Sequence, residues 1–113
     1  MKITERNRGD VKIIDIDGKI TIGAGDIALR QAVQNALNSG ATKVVINLKN
    51  VTTIDSSGVG ELVSAYTTAM NRGATLKLAN LPEKVNDVLT ITQLITVFDV
   101  HDSEDEAVRS FGG

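Results

Sequence analysis

Residues 52–63 read TTIDSSGVGELV: one carboxylate, Asp55, is followed at once by two hydroxyls, Ser56 and Ser57, and then by Gly58 and Gly60. Residues of these types could serve a nucleophilic serine or a glycine-rich phosphate cradle, and each of those chemistries has further requirements. A hydrolase serine sits in G-x-S-x-G and needs a histidine partner. That pattern is absent, and the single histidine, His101, lies in a separate acidic stretch between Asp99 and Asp102. A phosphate-binding P-loop needs a lysine directly after its last glycine; Glu61 follows Gly60 instead. Asp55 beside Ser56 is therefore not part of a triad. His101 reads as a solvated surface residue, because a metal centre would need further nitrogen or sulfur ligands, and no metal or cofactor is expected.

The elements that must hold this stretch can be read from periodicity. Ile3 and Glu5 open a strand, NRGD at 7–10 supplies a turn, and VKIIDID returns as a second, β-branched strand, which makes a hairpin. GKITIGAGD reads as a short strand or extended segment running into a flexible loop. With Asp26 as cap, Leu29, Ala32, Val33, Ala36 and Leu37 share one face of a helix that stops at Gly40. KVVINL at 43–48 has the near-continuous apolar character of a strand covered on both faces, which makes it central. A second helix starts close to Ser57, presents Val59, Leu62, Val63, Tyr66 and Met70 on one face, and ends near Gly73. ATLKLAN is a further strand. Pro82 suits the first turn of a helix with Val85, Val88 and Leu89 inward. A short strand follows at 97–100, and Ser103 with Glu106 forms a capping box for a last helix that buries Ala107, Val108 and Phe111.

Strand, strand, then alternating helix and strand gives an α/β class: a mixed β-sheet opened by a hairpin, with about four helices packed against it. No repeat, linker or low-complexity segment divides the 113 residues, so one domain over 1–113 is expected, burying roughly two-thirds of its unfolded surface. Twelve basic against fourteen acidic side chains give a net charge of −2, and only Tyr66, Phe98 and Phe111 are aromatic. That composition supplies neither a basic field nor a stacking platform for nucleic acid. The chain has no cysteine, its first ten residues lack the apolar core of a signal peptide, and no apolar run has the length to cross a bilayer. A cytoplasmic protein with no direct membrane contact is expected. The acidic run HDSEDEA at 101–107 suits a solvated helix start, where carboxylates favour the positive end of the dipole, ahead of the alternative of a partner surface.

These elements put the serine pair at a helix amino terminus, where unpaired amides and the macrodipole tolerate a phosphate. The plain alternative is that Ser56 or Ser57 is an N-cap and nothing more. Gly58 and Gly60 then permit close packing, at about 1 kcal/mol each if inside the helix.

The register from Val44 to Leu62, an apolar strand followed by an apolar residue, Asp, Ser, Ser, Gly, an apolar residue and Gly, resembles the STAS domain of bacterial anti-sigma factor antagonists. The rest of the chain follows the same order of elements. The resemblance implies a partner switch without catalysis of its own. The unphosphorylated protein would bind an anti-sigma factor that is also a serine kinase and so release a sigma factor; phosphorylation would end binding, and a serine phosphatase would restore it. Carried over, Ser56 is the phosphoacceptor, with Ser57 as second choice, and Asp55, Ser56, Ser57, Gly58 and Val59 form the partner-binding set; Leu62 joins it if it faces outward. The sequence departs from the family's habit at TIGAG (21–25), where leucine-aspartate is common, and at Asn47, where aspartate is frequent. An alternative keeps the fold without the switch, as a scaffold in a signalling complex or a subunit of a lipid-transport assembly. A small nucleotide-binding enzyme is a third reading, resting on fold class and glycines alone. Oligomeric state is open.

Overall fold

The structure, a computed structural model, describes residues 2–112; Met1 and Gly113 of the expected 1–113 domain lie outside the described residues. Strands β1 (Lys2–Arg8) and β2 (Val11–Ile20) form the hairpin; helix α1 (Ala24–Asn38), strand β3 (Lys43–Ile54), helix α2 (Ser56–Asn71) and strand β4 (Thr75–Ala79) follow. Helix α3 (Glu83–Ile91), a 3-10 turn (Leu94–Thr96), strand β5 (Val100–His101) and helix α4 (Glu104–Arg109) complete the order. The sheet runs β1-β2-β3-β4-β5, antiparallel in the hairpin and parallel thereafter. The expected mixed sheet with four helices is present.

Alternation along β2, β3 and β4 divides the interior into two layers. Ile14, Ile16, Val44, Ile46, Leu48, Leu76 and Leu78 face α1, α2 and α3, where Leu29, Val33, Leu62 and Leu89 meet them in the main core. Burying each such leucine contributes about 1.5–3 kcal/mol. On the other face Val11, Ile13, Val45 and Ala79 are covered by α4 through Ala107.

Several expectations are corrected. Strand β2 does not stop at Gly18: that residue adopts φ 113°, the β2–β3 register shifts on either side of it, and the strand continues to Ile20. Such an irregularity bends a strand without ending it. Strand β3 likewise runs six residues past Leu48, with Val51 and Ile54 buried and solvent-facing pairs between them, a spacing that hides the usual alternation. Helix α1 begins at Ala24 behind Gly23, with Asp26 inside the first turn and not its cap. Helix α2 turns Val59, Leu62, Ala65 and Ala69 inward; Met70 is 57% exposed, while Tyr66 packs edge-on against Phe98 at 5.6 Å. The short strand at 97–100 is confined to Val100–His101. Phe111 lies beyond the end of α4, half-buried, its ring under Lys77 Nζ at 4.5 Å. His101 is not a solvated residue: its side chain is 14% exposed, with Nε2 2.9 Å from Asp99 and 3.3 Å from Ser110 Oγ.

Between α4 and β1 the contacts are charged. Arg6 pairs with Asp15 at 2.5 Å and with Glu104, and Arg8 with Glu104 at 3.0 Å and Asp105 at 2.5 Å. Asn47 lies in their midst. Its Nδ2 donates to Asp15 at 3.0 Å and approaches Glu104 at 3.5 Å, while its Oδ1 accepts from Asn80 Nδ2 and Lys49 N at 3.1 Å. An amide fits here because it alone can donate to two carboxylates and accept from two N–H groups. Burial raises the Glu104 pKa, but hydrogen bonds from Arg6 and Arg8 outweigh it and hold the carboxyl below its ordinary 4.5.

Two outcomes follow for urea unfolding. Asn47→Asp replaces a donor with a third carboxylate and should lower stability by about 1–3 kcal/mol at pH 7, a loss that shrinks as the pH is lowered and the new group takes up a proton. The contribution of Glu104, whose folded pKa is depressed, should be complete above pH 4.5 and disappear as the pH falls through the folded value; in Glu104→Gln that part of the acid dependence should be missing.

Candidate functional site

The long β2 and β3 strands bring Ile20 and Ile54 side by side as register partners. At that edge Asp55 leaves the sheet: its N–H donates to the Ile20 carbonyl at 3.3 Å, and its extended backbone (φ −111°, ψ −175°) makes it the N-cap of α2. The capping hydrogen bond comes from the aspartate and not from either serine. Asp55 Oδ1 accepts from Gly58 N at 2.9 Å, and Oδ2 accepts from Ile22 N at 3.0 Å, in the β2–α1 loop. One carboxylate thus ties together the start of α2 and the loop before α1. Those amides, Gly58 first and Ile22 second, hold its pKa below the usual aspartate value.

With the cap supplied by Asp55, Ser56 becomes the first helical residue and is exposed; Ser57 is half-buried. Gly58 is buried against the strand ends. A β-carbon there would lie 2.1 Å from the Ile20 carbonyl oxygen, 2.7 Å from Ile54 Cγ1 and 2.9 Å from Ile20 Cγ2. Gly60 is different, since a β-carbon there meets open space. Val59, assigned to the partner-binding set, has its side chain in the core at 7% exposure, and Leu62 is fully buried. Neither can offer a side chain to a partner without unfolding the helix start. The apolar side chains that stand outward near the site are Ile22, 75% exposed, and Ile27 in the first turn of α1. The sequence reading gave neither to the site: Ile22 alternates with Ile20 as a strand residue would, and that period-2 pattern hides its exposure. Beyond Ile54 an open cleft is lined by Thr53, Lys84, Asp87 and Val88.

Behind the site Arg30 of α1 grips Glu61 of α2 with two hydrogen bonds of 3.0 Å, and the Glu61 side chain is 8% exposed. The pair ties the two helices whose amino ends frame the serine. Among the described residues no group of three His, Cys, Asp or Glu is placed to hold a metal ion, and no helix is long and apolar enough to cross a membrane.

The two glycines should respond oppositely to alanine. Gly58→Ala forces backbone apart and should cost about 1–3 kcal/mol or more, whereas Gly60→Ala should stabilise by up to about 1 kcal/mol through helix propensity; thermal unfolding of both proteins checks the signs.

The sequence matches the STAS domain family over residues 2–107. It is 29% identical over 105 residues to the anti-sigma-B factor antagonist of Bacillus subtilis, covering 93% of this chain and 94% of that one. To the anti-sigma F factor antagonist of Paenibacillus polymyxa it is 24% identical over 104 residues, covering 92% and 88%. A crystal structure from Thermotoga maritima, described as a candidate anti-sigma factor antagonist, superposes with a TM-score of 0.87 at 26% identity, over 96% of this chain and 92% of that one. With this match running from the first residue of β1 into α4, the chain belongs to the STAS domain family.

Proposed function

We propose that this protein is an anti-sigma factor antagonist whose hold on its partner is controlled by phosphorylation of Ser56. In this reading the unphosphorylated protein binds an anti-sigma factor that is also a serine kinase, in the cytoplasm. The kinase moves the γ-phosphoryl group of ATP to Ser56 Oγ, which gives up its proton as ADP leaves, and a serine phosphatase reverses the modification. The names carried by the relatives support the general role. One observation carries the choice of residue: Ser56 is exposed at the first position of α2 and has no capping task, because Asp55 performs it. Ser57 is half-buried, which ranks it second.

The energetics suit a switch that leaves the fold alone. Phosphoserine adds about −1.5 to −2 charges. Against an acidic partner group at about 4 Å, each added charge costs on the order of 4 kcal/mol at an effective dielectric near 20, which is roughly a thousandfold in affinity. The site residues form no catalytic constellation, in keeping with a protein whose output is binding.

Incubation with the cognate kinase and ATP should add one phosphate by mass spectrometry, absent in Ser56→Ala. In pull-downs from the native cell, wild type and Ser56→Ala should retain the partner and Ser56→Asp should lose it. Labelling that persists in Ser56→Ala, or equal capture by all three proteins, defeats the reading; equal capture without labelling is what a non-switching scaffold would give.

A further inference from the structure

We infer, on the reading that a serine kinase binds this protein at Ser56, that Ile22 is the apolar anchor of that complex and that Asp55 positions it. The kinase would seat the Ile22 side chain in an apolar pocket beside its phosphoryl-transfer site.

Single exposed isoleucines are ordinary on a protein surface. Ile22 differs in how firmly it is held and by which residue. It lies in the short connection between β2 and α1 with its side chain 75% exposed. Its N–H donates to Asp55 Oδ2 at 3.0 Å. Around it the turn is closed by backbone: Asp26 N–H donates to the Thr21 carbonyl at 3.1 Å and Ile27 N–H to the Gly23 carbonyl at 3.4 Å, while Gly23 takes the φ of 98° that favours glycine. These hydrogen bonds order a turn whose isoleucine the domain itself does not bury. A β-branched side chain has few rotamers to lose, so on a fixed turn it is a preorganised contact, and preorganisation cuts the entropy cost of binding.

The position of Ile22 selects its occupant. The carboxylate that holds it belongs to the residue directly before Ser56. An enzyme that brings ATP to the Ser56 hydroxyl must cover the ground around Asp55, and Ile22 stands on that ground. Thr21 to Gly25 carry no charge, so a pocket for this turn needs no counter-ion. Other strongly exposed apolar side chains lie elsewhere: Met70 is near the far end of α2, about 21 Å along the helix axis from Ser56, and Ile91 ends α3.

The probe is the kinase retained by Ser56→Ala from the native cell, identified by mass spectrometry and purified. Its Kd is measured by calorimetry for variants built on Ser56→Ala, where no turnover intervenes, and its KM and kcat on chains that keep Ser56. Ile22→Ala should weaken binding about 10–50-fold and raise KM in parallel with kcat unmoved. Ile22→Val should recover most of that loss, and Met70→Ala should bind like its parent. Asp55→Asn leaves one of the two amides without its acceptor; on that background Ile22→Ala should cost clearly less, because the turn is no longer held. An unchanged Kd in Ile22→Ala, or an equal loss in Met70→Ala, overturns the anchor. A loss from Ile22→Ala that is the same with and without Asp55→Asn overturns the positioning by Asp55. A kinase that phosphorylates Ser56 with an affinity indifferent to Ile22 defeats this inference alone, whereas retention of no partner defeats the proposed switch and the anchor with it.

Discussion

The contact on which the architecture of the site depends is that of Gly58 with the end of β2. A helix can begin directly on the carbonyl of Ile20 because no side chain intervenes, and the space a methyl group would need is already filled by backbone. That contact sets where α2 starts, and therefore which residue takes the cap and which is left exposed. Asp55 sits between the strand and this glycine, so its carboxylate meets the Gly58 amide on one side and the Ile22 amide on the other. Remove the close approach and the aspartate, the loop and the serine lose their common reference.

The parallel strands explain why these pieces are together. In a parallel sheet the helices that follow neighbouring strands begin at the same edge, and β2 and β3 deliver α1 and α2 side by side. The bulge around Gly18 matters because it lets β2 reach as far as β3 does; a strand that ended at residue 17 would leave Ile22 remote from Asp55. Arg30 and Glu61 then hold the two helices together one to two turns behind the exposed serine. Their pairing is bidentate, and Glu61 is buried enough that its partner is needed to offset desolvation.

Much of this was legible in the residues. The order of elements, the central place of KVVINL and the helix start beside Ser56 follow from period and composition. What stayed hidden has specific causes. Three successive polar residues, Asp55, Ser56 and Ser57, are all competent caps, and only backbone geometry selects the first. On α2 two apolar stripes run side by side: Val63, Tyr66 and Met70 are bulkier, yet the stripe with Ala65 and Ala69 lies inward because small residues let the helix approach the sheet. Val59, given to the partner-binding set by the family resemblance alone, belongs to the inward stripe. His101 looked solvated between Asp99 and Asp102, but its ring is largely buried, with Asp99 at 2.9 Å and Glu106 of α4 at 3.6 Å. Asn47, a departure from the family's habit, is explained by Asp15 and Asn80, 32 and 33 residues away in sequence, beyond the reach of local pattern.

The two faces of the sheet are unequally secured. Three helices press a continuous apolar layer onto one side, whereas the six-residue α4 meets the other through fully buried Ala107, partly buried Val108 with Phe111 just beyond, and a ring of ion pairs. Opening energies in a folded protein track local apolar burial, and exposed ion pairs add little to them, less still in salt. The carboxy-terminal turn should therefore come away from the sheet as a sub-global event while α2 and Ser56 remain in place, with its amide protons exchanging with deuterated solvent well before those of the central strands.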